Sequence, residues 1–350
     1  AKDGRVMFEG DVERESKELE DEEQLPNTEG TAAERCVAGL TLAKETMEQG
    51  HVAASLNMTE AALRRAYKEG SKEDEELLKV LAEGHLIAGT VRQRMGAWDA
   101  ALVHLKTAIE NFPDAVAANP AFYYGAGASY AVLGNLKDAL HMFSMCSVIV
   151  NESEELYAGY PWLRLVLPIN IGQTLLRMGR ATEALDNLRS AFEEAKTVDE
   201  EMMALARPAI LYYVALSRAA LEQHDEACET WGEWEGTHST VEEQLLETNW
   251  RERWRQHYVR SLVLAAGGKP RGSPEWRATM DRGAEQARLL TEEFGGLGRA
   301  WWMRADCLSS LGDAEGALEC YRKVMTAADA PDGGFPDVRY QTGQCLLQLG

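Results

Sequence analysis

Several features are scarce in this sequence of 350 residues, and each shortage excludes a class of protein. Only 10 prolines are present, and the abundance of leucine, alanine, glutamate and arginine favours helices over strands. No apolar run reaches the ~18 to 20 residues of a membrane-spanning helix, since the nearest, LRLVLPINIG, is short and contains Pro168. The 6 cysteines stand singly, without a C-x-x-C pair, which argues against a zinc knuckle or a disulfide framework. We therefore expect an all-α protein of a reducing compartment.

Positive charge is also in short supply. The chain has 36 basic against 57 acidic residues, a formal net charge of −21. This field repels nucleic acid and anionic lipid surfaces, so any anionic partner requires a local basic patch. The first residue is alanine rather than methionine, so either a targeting segment has been removed or the start is missing. The expected location is a reducing intracellular compartment, either the cytoplasm or an organelle interior after removal of a transit peptide.

Recognisable catalytic motifs are missing as well. The sequence has no H-E-x-x-H or G-x-S-x-G motif and no carboxylate pair in a known catalytic setting. His224 and Cys228 lie four residues apart, but two ligands do not make a metal site. The run GAGASY has Tyr130 where a dinucleotide fingerprint needs its third glycine. We predict no catalytic residue, no metal and no cofactor, and a protein that is not an enzyme.

Residues 1–30 differ from the rest of the chain. They contain 11 acidic and four basic residues and show almost no apolar periodicity. Such a composition is typical of a flexible acidic arm. We therefore divide the chain into an arm, 1–30, and a helical region, 31–350.

The helical region repeats one pattern of residues. Small or bulky apolar residues recur at spacings of three and four, which places them on one face of a helix. A turn follows, and a second stripe begins with alanine and continues four positions later with an aromatic residue or a leucine. The turns align at Gly50, Gly96, Gly134, Gly179, Glu222, Gly312 and Gly350. Their mean spacing is about 43 residues when one degenerate helix pair near 250–293 is included.

This pattern resembles the tetratricopeptide repeat (TPR) family, whose consensus length is shorter, ~34 residues. The resemblance implies a right-handed superhelical α-solenoid of antiparallel helix pairs. We expect about seven to eight pairs over 31–350, with the last repeat incomplete. Stacking explains the small residues without the family, because each pair buries its apolar stripe against the next. Gly127, for example, permits close helix packing.

The resemblance also implies a groove lined by the first helix of each pair. The residues expected there are mostly aromatic or apolar with few cations, which suits an extended or helical segment with apolar anchors and disfavours a chaperone-tail clamp. The alternative left open is that the acidic arm or packing between repeats occupies these side chains. The predicted lining residues are Tyr124, Ile169, Gln173, Tyr212, Tyr213, Trp302 and Met303.

One basic island interrupts the acidic chain. Residues 249–272 hold six basic residues and a single acid, interleaved with Trp250, Trp254 and Tyr258. The predicted contact residues for an acidic partner are Arg251, Arg255, Lys269 and Arg271. Binding of RNA by the same island is the alternative function, and pairing of these cations with neighbouring acidic helices is the structural one.

Together these features predict a non-catalytic scaffold or assembly subunit of a larger protein complex. Other protein subunits are its expected partners, and nucleic acid is disfavoured. The sequence leaves open a peripheral place on a membrane complex.

Overall fold

The all-α prediction is confirmed. A computed structural model describes residues 25–26, 29–71, 73–117, 119–152, 160, 162–195, 200–235, 250–327 and 337–350, and every regular element in them is a helix. None of these helices is long and apolar enough to cross a membrane. The chain divides into two compact units, Ala1–Thr174 and Leu175–Gly350, here called unit 1 and unit 2.

The helices follow one another as pairs joined by short turns. In unit 1 they are α1 (Ala32–Glu48), α2 (Val52–Glu69), α3 (Glu75–Arg94), α4 (Trp98–Asn111), the short α5 (Pro113–Val116), α6 (Pro120–Val132) and α7 (Leu136–Glu152). Helix α8 (Leu163–Arg177) crosses the boundary between the units. In unit 2 they are α9 (Ala181–Ala195), α10 (Glu200–Ala220), α11 (His224–Glu235), α12 (Trp250–Gly267), α13 (Pro274–Glu293), α14 (Gly298–Leu311), α15 (Ala314–Thr326) and α16 (Val338–Leu349).

Six of the turns within pairs close with the same hydrogen bond. In each, the amide of the residue after the turn position donates to the carbonyl five residues earlier, as Asn135 does to Tyr130 at 2.9 Å. This is the Schellman motif, which requires a left-handed residue at the turn. The backbone angle φ is positive at all six turn positions, Gly50, Gly96, Gly134, Gly179, Glu222 and Gly312. Glu222 has φ of 61° and occupies a glycine position without being glycine.

The core of unit 1 depends on small residues where helices approach. A Cβ built on Gly127 of α6 would lie 2.6 Å from Cδ1 of Phe143 on α7, so glycine is required there. On α1, Gly39 lies against Leu25 and Ala62 in the same way. Leu25 is buried, so this residue of the predicted arm belongs to the core. The remaining arm positions 1–24 and 27–28 lie outside the described residues.

Unit 2 is built around a cluster of tryptophans. Trp231, Trp234 and Trp254 are each no more than 1% exposed, and the rings of Trp234 and Trp254 lie 4.5 Å apart. The Trp234 indole donates to the carbonyl of Pro208, and that of Trp231 to Ser261, so both indole donors are satisfied. This cluster joins α10, α11 and α12. The helix pair α12 and α13 is therefore a packed repeat, although its sequence is degenerate.

Candidate partner-binding surface

In unit 1 the predicted groove residues lie on α6 and α8. Tyr124 is half-buried, and its hydroxyl accepts a hydrogen bond from the Asn170 amide at 3.0 Å. Its ring meets Trp162 edge-on at 5.1 Å, and burial raises the pKa of Tyr124 to about 12. Ile169 is buried and Gln173 half-buried. Tyr124 and Gln173 thus keep some accessible surface, whereas Ile169 belongs to the interior.

In unit 2 most of the predicted groove residues are interior. Tyr212 and Tyr213 are each 7% exposed, and Met303 is 8% exposed. Tyr212 packs edge-on against Trp231, with the ring centroids 5.5 Å apart. The prediction of an open aromatic groove at these three residues needs correction, because their bulk fills the space between helices. Trp302 is half-buried and remains the accessible aromatic residue of the predicted set in this unit.

Two cations of the predicted island are held by acidic side chains. The Arg255 Nε atom lies 3.2 Å from Glu293, and Nη1 donates to Gln286 at 2.9 Å. Lys269 pairs with Asp225 at 2.6 Å and also donates to the Ala265 carbonyl. Arg255 and Lys269 therefore tie α12 and the turn that follows it to neighbouring helices. For Arg255 and Lys269, the structural alternative, pairing with acidic side chains of neighbouring helices, is the one observed.

The other two predicted cations are more accessible. Arg251 has an exposed guanidinium that lies 4.0 Å from Glu293 and stacks over Trp250. Arg271 is exposed and makes no hydrogen bond or ion pair with the described residues. The aromatics interleaved with the island, Trp250, Trp254 and Tyr258, are buried. They leave no exposed ring on which a base could stack, contrary to what the RNA alternative requires.

A different face of α12 carries basic residues that the sequence analysis did not single out. Arg253, His257, Arg260 and Leu264 follow one another at spacings of three and four and so share one face. Both arginines are exposed, and Leu264 is 43% exposed. Arg299 at the start of α14 is also exposed. We call Arg253, His257, Arg260 and Arg299 the arginine surface.

The charges of the three arginines act on His257. Burial and then the charges of Arg260, Arg253 and Arg299 lower its pKa to about 4. Its ring stacks on Trp231, with centroids 6.2 Å apart and planes 9° apart. Arg260 and Arg299 make no hydrogen bond or ion pair with the part of the chain that the structure describes. Two free cations in a chain of net charge −21 are therefore held beside an uncharged imidazole.

In unit 1 several polar side chains contact one another in a connected polar chain, and no sequence motif predicts it. The Tyr67 hydroxyl lies 2.9 Å from Nε2 of His85, whose Nδ1 lies 3.1 Å from Nδ1 of His104. His104 in turn lies 3.7 Å from Glu60, which accepts a hydrogen bond from Arg92 at 2.7 Å. The nearby imidazole of His104 and the hydrogen bond from Arg92 hold the pKa of Glu60 at about 2 against the effect of burial. The cluster joins α2, α3 and α4 through these contacts.

The described residues contain no group of three or more His, Cys, Asp or Glu side chains arranged to hold a metal ion. Cys228 is buried, and burial raises the pKa of its thiol to about 12. His224 and Cys228 both lie on α11, and Cys228 belongs to the buried core of unit 2.

Comparison with known proteins bears on the repeat pattern. The family model described as tetratricopeptide repeat matches residues 298–330, the stretch that forms α14 and α15. The pattern of that stretch recurs along the chain, and six pairs share its Schellman turn. The chain is a TPR-like repeat protein. No curated protein matches it in sequence.

Solved structures similar to this TPR-like chain are distant in sequence. A tetratricopeptide repeat protein from Parabacteroides merdae has 12% identity and a TM-score of 0.49, with 91% of this chain and 100% of the other covered. NprR in complex with its cognate peptide NprX has 15% identity and a TM-score of 0.46, with 98% and 95% covered. Neither similarity bears on the function of this chain.

The TPR-like arrangement identifies which helices come first in their pairs. Helices α10, α12 and α14 are first helices, and α12 contacts both of the others. The arginine surface therefore lies on first helices. The predicted groove residues include none from α12, so these cations were not part of the predicted groove.

Proposed function

We propose that this TPR-like protein is a non-catalytic scaffold that binds an acidic segment of a partner polypeptide on the arginine surface of unit 2. The observation that carries the proposal is the exposure of Arg260 and Arg299 without acidic partners, although the chain is rich in acids. Elsewhere in unit 2, Arg255 and Lys269 are paired with carboxylates. Arginines left unpaired on one face are suited to recognise carboxylates from another chain.

Apolar side chains beside the arginine surface supply further contact area. Leu264 continues the α12 stripe by one turn, and Trp302 lies three residues after Arg299 on α14. Exposed arginines together with an exposed leucine and a half-buried tryptophan on the same helices fit an acidic segment that also carries an apolar anchor. This surface supports the proposal that the partners of the scaffold are other protein subunits.

Binding of RNA is the weaker alternative. The net charge of −21 opposes approach of a polyanion, and the aromatics of the 249–272 island are buried. RNA therefore enters the test as a competing ligand rather than as a second proposal.

The proposal is tested by selecting peptides from a random 12-residue library on the full chain. We expect selected peptides to be enriched in Asp and Glu, to carry one aromatic or aliphatic residue, and to bind more weakly as salt rises. A single-stranded RNA oligonucleotide is titrated in parallel. Selection of basic or neutral peptides, or tighter binding of the RNA than of any peptide, would contradict the proposal.

A further inference from the structure

A pocket of about 150 Å³ lies within unit 2 among α9, α10 and α11. Its apolar lining comes from Phe192 on α9 and from Ile210, Leu211 and Val214 on α10. The three aliphatic residues are buried and Phe192 is half-buried, so the lining is fixed by core packing. A preformed apolar pocket of this kind is the usual form of a small ligand site.

The pocket is separate from the arginine surface. On α10 the pocket residues Ile210, Val214 and Arg218 follow at spacings of four and share one face. Tyr212, which contacts His257 of the arginine surface, lies about 160 to 200° around the helix from Ile210 and Val214 at 100° per residue. Ile210 and Val214 therefore lie on the side of α10 away from the ring that contacts the arginine surface, and the pocket does not depend on the proposed function.

The size of the pocket sets the size of its ligand. A cavity of about 150 Å³ lined by apolar side chains accommodates a group as large as benzene. The pocket therefore suits one phenyl or branched aliphatic group and is too small for a segment of polypeptide.

Two arginines that line the pocket have no carboxylate partner among the described residues. Arg189 makes no hydrogen bond or ion pair with the described residues. Arg218 donates through Nη1 to Thr230 and to the Glu226 carbonyl, but it has no acidic partner among those residues. The Arg218 Nε atom is buried and has no hydrogen-bond acceptor among the described residues. A buried donor without an acceptor carries a free-energy cost that a ligand acceptor relieves.

The glutamates that line the pocket do not supply a carboxylate partner to these arginines. Glu233 already accepts from Arg207 Nη2 at 2.9 Å. Glu193 also has an interaction partner. The two lining arginines thus retain their positive charge beside an apolar floor.

We propose that this pocket binds an apolar carboxylate, with its phenyl or branched aliphatic group against Ile210, Leu211 and Val214 and its carboxylate on Arg189 and Arg218. Two sources share this chemistry: a small carboxylic acid, and the last residue of a polypeptide with its free C-terminal carboxylate. Charge-assisted hydrogen bonds to the arginines provide the preference for the anion.

The test uses the full chain with methyl-labelled isoleucine, leucine and valine, observed by NMR. The probes are 3-phenylpropionate, its neutral amide 3-phenylpropanamide, acetate, and the peptide Ala-Ala-Phe with a free C-terminus. We expect saturable shifts of the Ile210, Leu211 and Val214 methyls with millimolar Kd for 3-phenylpropionate, as is usual for about 11 non-hydrogen atoms. The amide should bind at least fivefold more weakly, and acetate should leave these methyls unchanged. Tighter binding of Ala-Ala-Phe than of 3-phenylpropionate would identify a polypeptide end as the source, and the reverse a small acid.

Variants check the role of the arginines. Because Arg218 also holds Thr230 and the Glu226 carbonyl, its replacement risks the fold. Arg189→Glu alters an exposed side chain and should weaken the binding of 3-phenylpropionate by at least fivefold. Arg322→Glu makes an equal charge change at an exposed residue of α15 and should leave this binding unchanged. Equal binding of acid and amide, shifts confined to other methyls, or unchanged affinity of Arg189→Glu would overturn the proposal.

Discussion

Replacing Glu222 by glycine is expected to stabilise unit 2. Glu222 has φ of 61° and takes the left-handed turn position that glycine occupies in the five other Schellman turns. A left-handed conformation costs a non-glycine residue about 1 to 2 kcal/mol. The side chain of Glu222 is exposed and makes no hydrogen bond or ion pair with the described residues, so its removal loses no contact.

The gain is partly offset in the unfolded state. Glycine has more conformational freedom to lose on folding than glutamate, a difference of about 0.4 to 1 kcal/mol. The net increase in the free energy of unfolding is therefore about 0.5 to 1 kcal/mol. With a urea m-value of about 2 kcal/mol per molar, the unfolding midpoint of Glu222→Gly should rise by about 0.3 to 0.5 M.

Tryptophan fluorescence is the appropriate assay, because Trp231, Trp234 and Trp254 are buried in the same unit. Gly312→Glu is the matched control. It places glutamate at φ of 88°, where an added Cβ meets no atom within 4 Å, so backbone strain alone should lower the midpoint by a similar amount. A lower or unchanged midpoint for Glu222→Gly at constant m-value would refute the reasoning.

Three other changes have expected outcomes. Gly127→Ala places a Cβ 2.6 Å from the Phe143 ring and should lower the free energy of unfolding by about 1 to 3 kcal/mol. The control Gly343→Ala, whose Cβ meets no atom within 4 Å, should not lower it. Equal effects of the two changes in urea unfolding would contradict this prediction. Arg255→Met removes a half-buried cation paired with Glu293 and should cost about 1 to 3 kcal/mol, whereas exposed Arg251→Met should cost under about 1 kcal/mol; the reverse order would show that the pairing is not structural. Burial, and then the charge of His104, lowers the pKa of His85 to about 4. Below the ordinary value of 6.5 the unfolded state therefore binds more protons than the folded state. The free energy of unfolding should fall by up to about 3 kcal/mol as the pH falls from 6.5 to 4. His85→Gln should flatten that part of the stability profile, and an unchanged slope would exclude His85 as its source.

The turns were predictable from sequence because one backbone requirement recurs in each. Glycine is the residue that accepts positive φ without strain, so Gly50, Gly96 and Gly134 mark their turns directly. The repeat period then located Glu222, whose side chain gives no such signal. The small residue Gly127 was predictable for a similar reason, since its close contact with Phe143 lies within one helix pair.

The binding surface was harder to predict because it depends on contacts between distant residues. Tyr212 and Tyr213 occupy first-helix positions but turn out to be buried. The sequence shows arginines throughout α12, yet it does not show that Arg255 meets Glu293 whereas Arg260 meets no carboxylate among the described residues. Arg255 and Glu293 are 38 residues apart and are brought together by helix packing, which no local sequence pattern predicts.

The polar chain from Tyr67 to Arg92 was missed for the same reason. Its members come from three helices, and no two of them form a known motif. Hydrogen bonding within a packed core depends on helix register, which apolar periodicity fixes only approximately.

Binding of one selected acidic peptide to two charge-reversal variants tests the central claim most directly. Arg260→Glu with Arg299→Glu reverses two cations of the arginine surface, and Arg277→Glu with Arg322→Glu reverses two exposed cations on the second helices α13 and α15. By fluorescence anisotropy, we predict that the first pair of changes weakens binding at least tenfold, about 1.4 kcal/mol, while the second changes it less than threefold. Equal weakening by both pairs, or none by the first, would contradict the account.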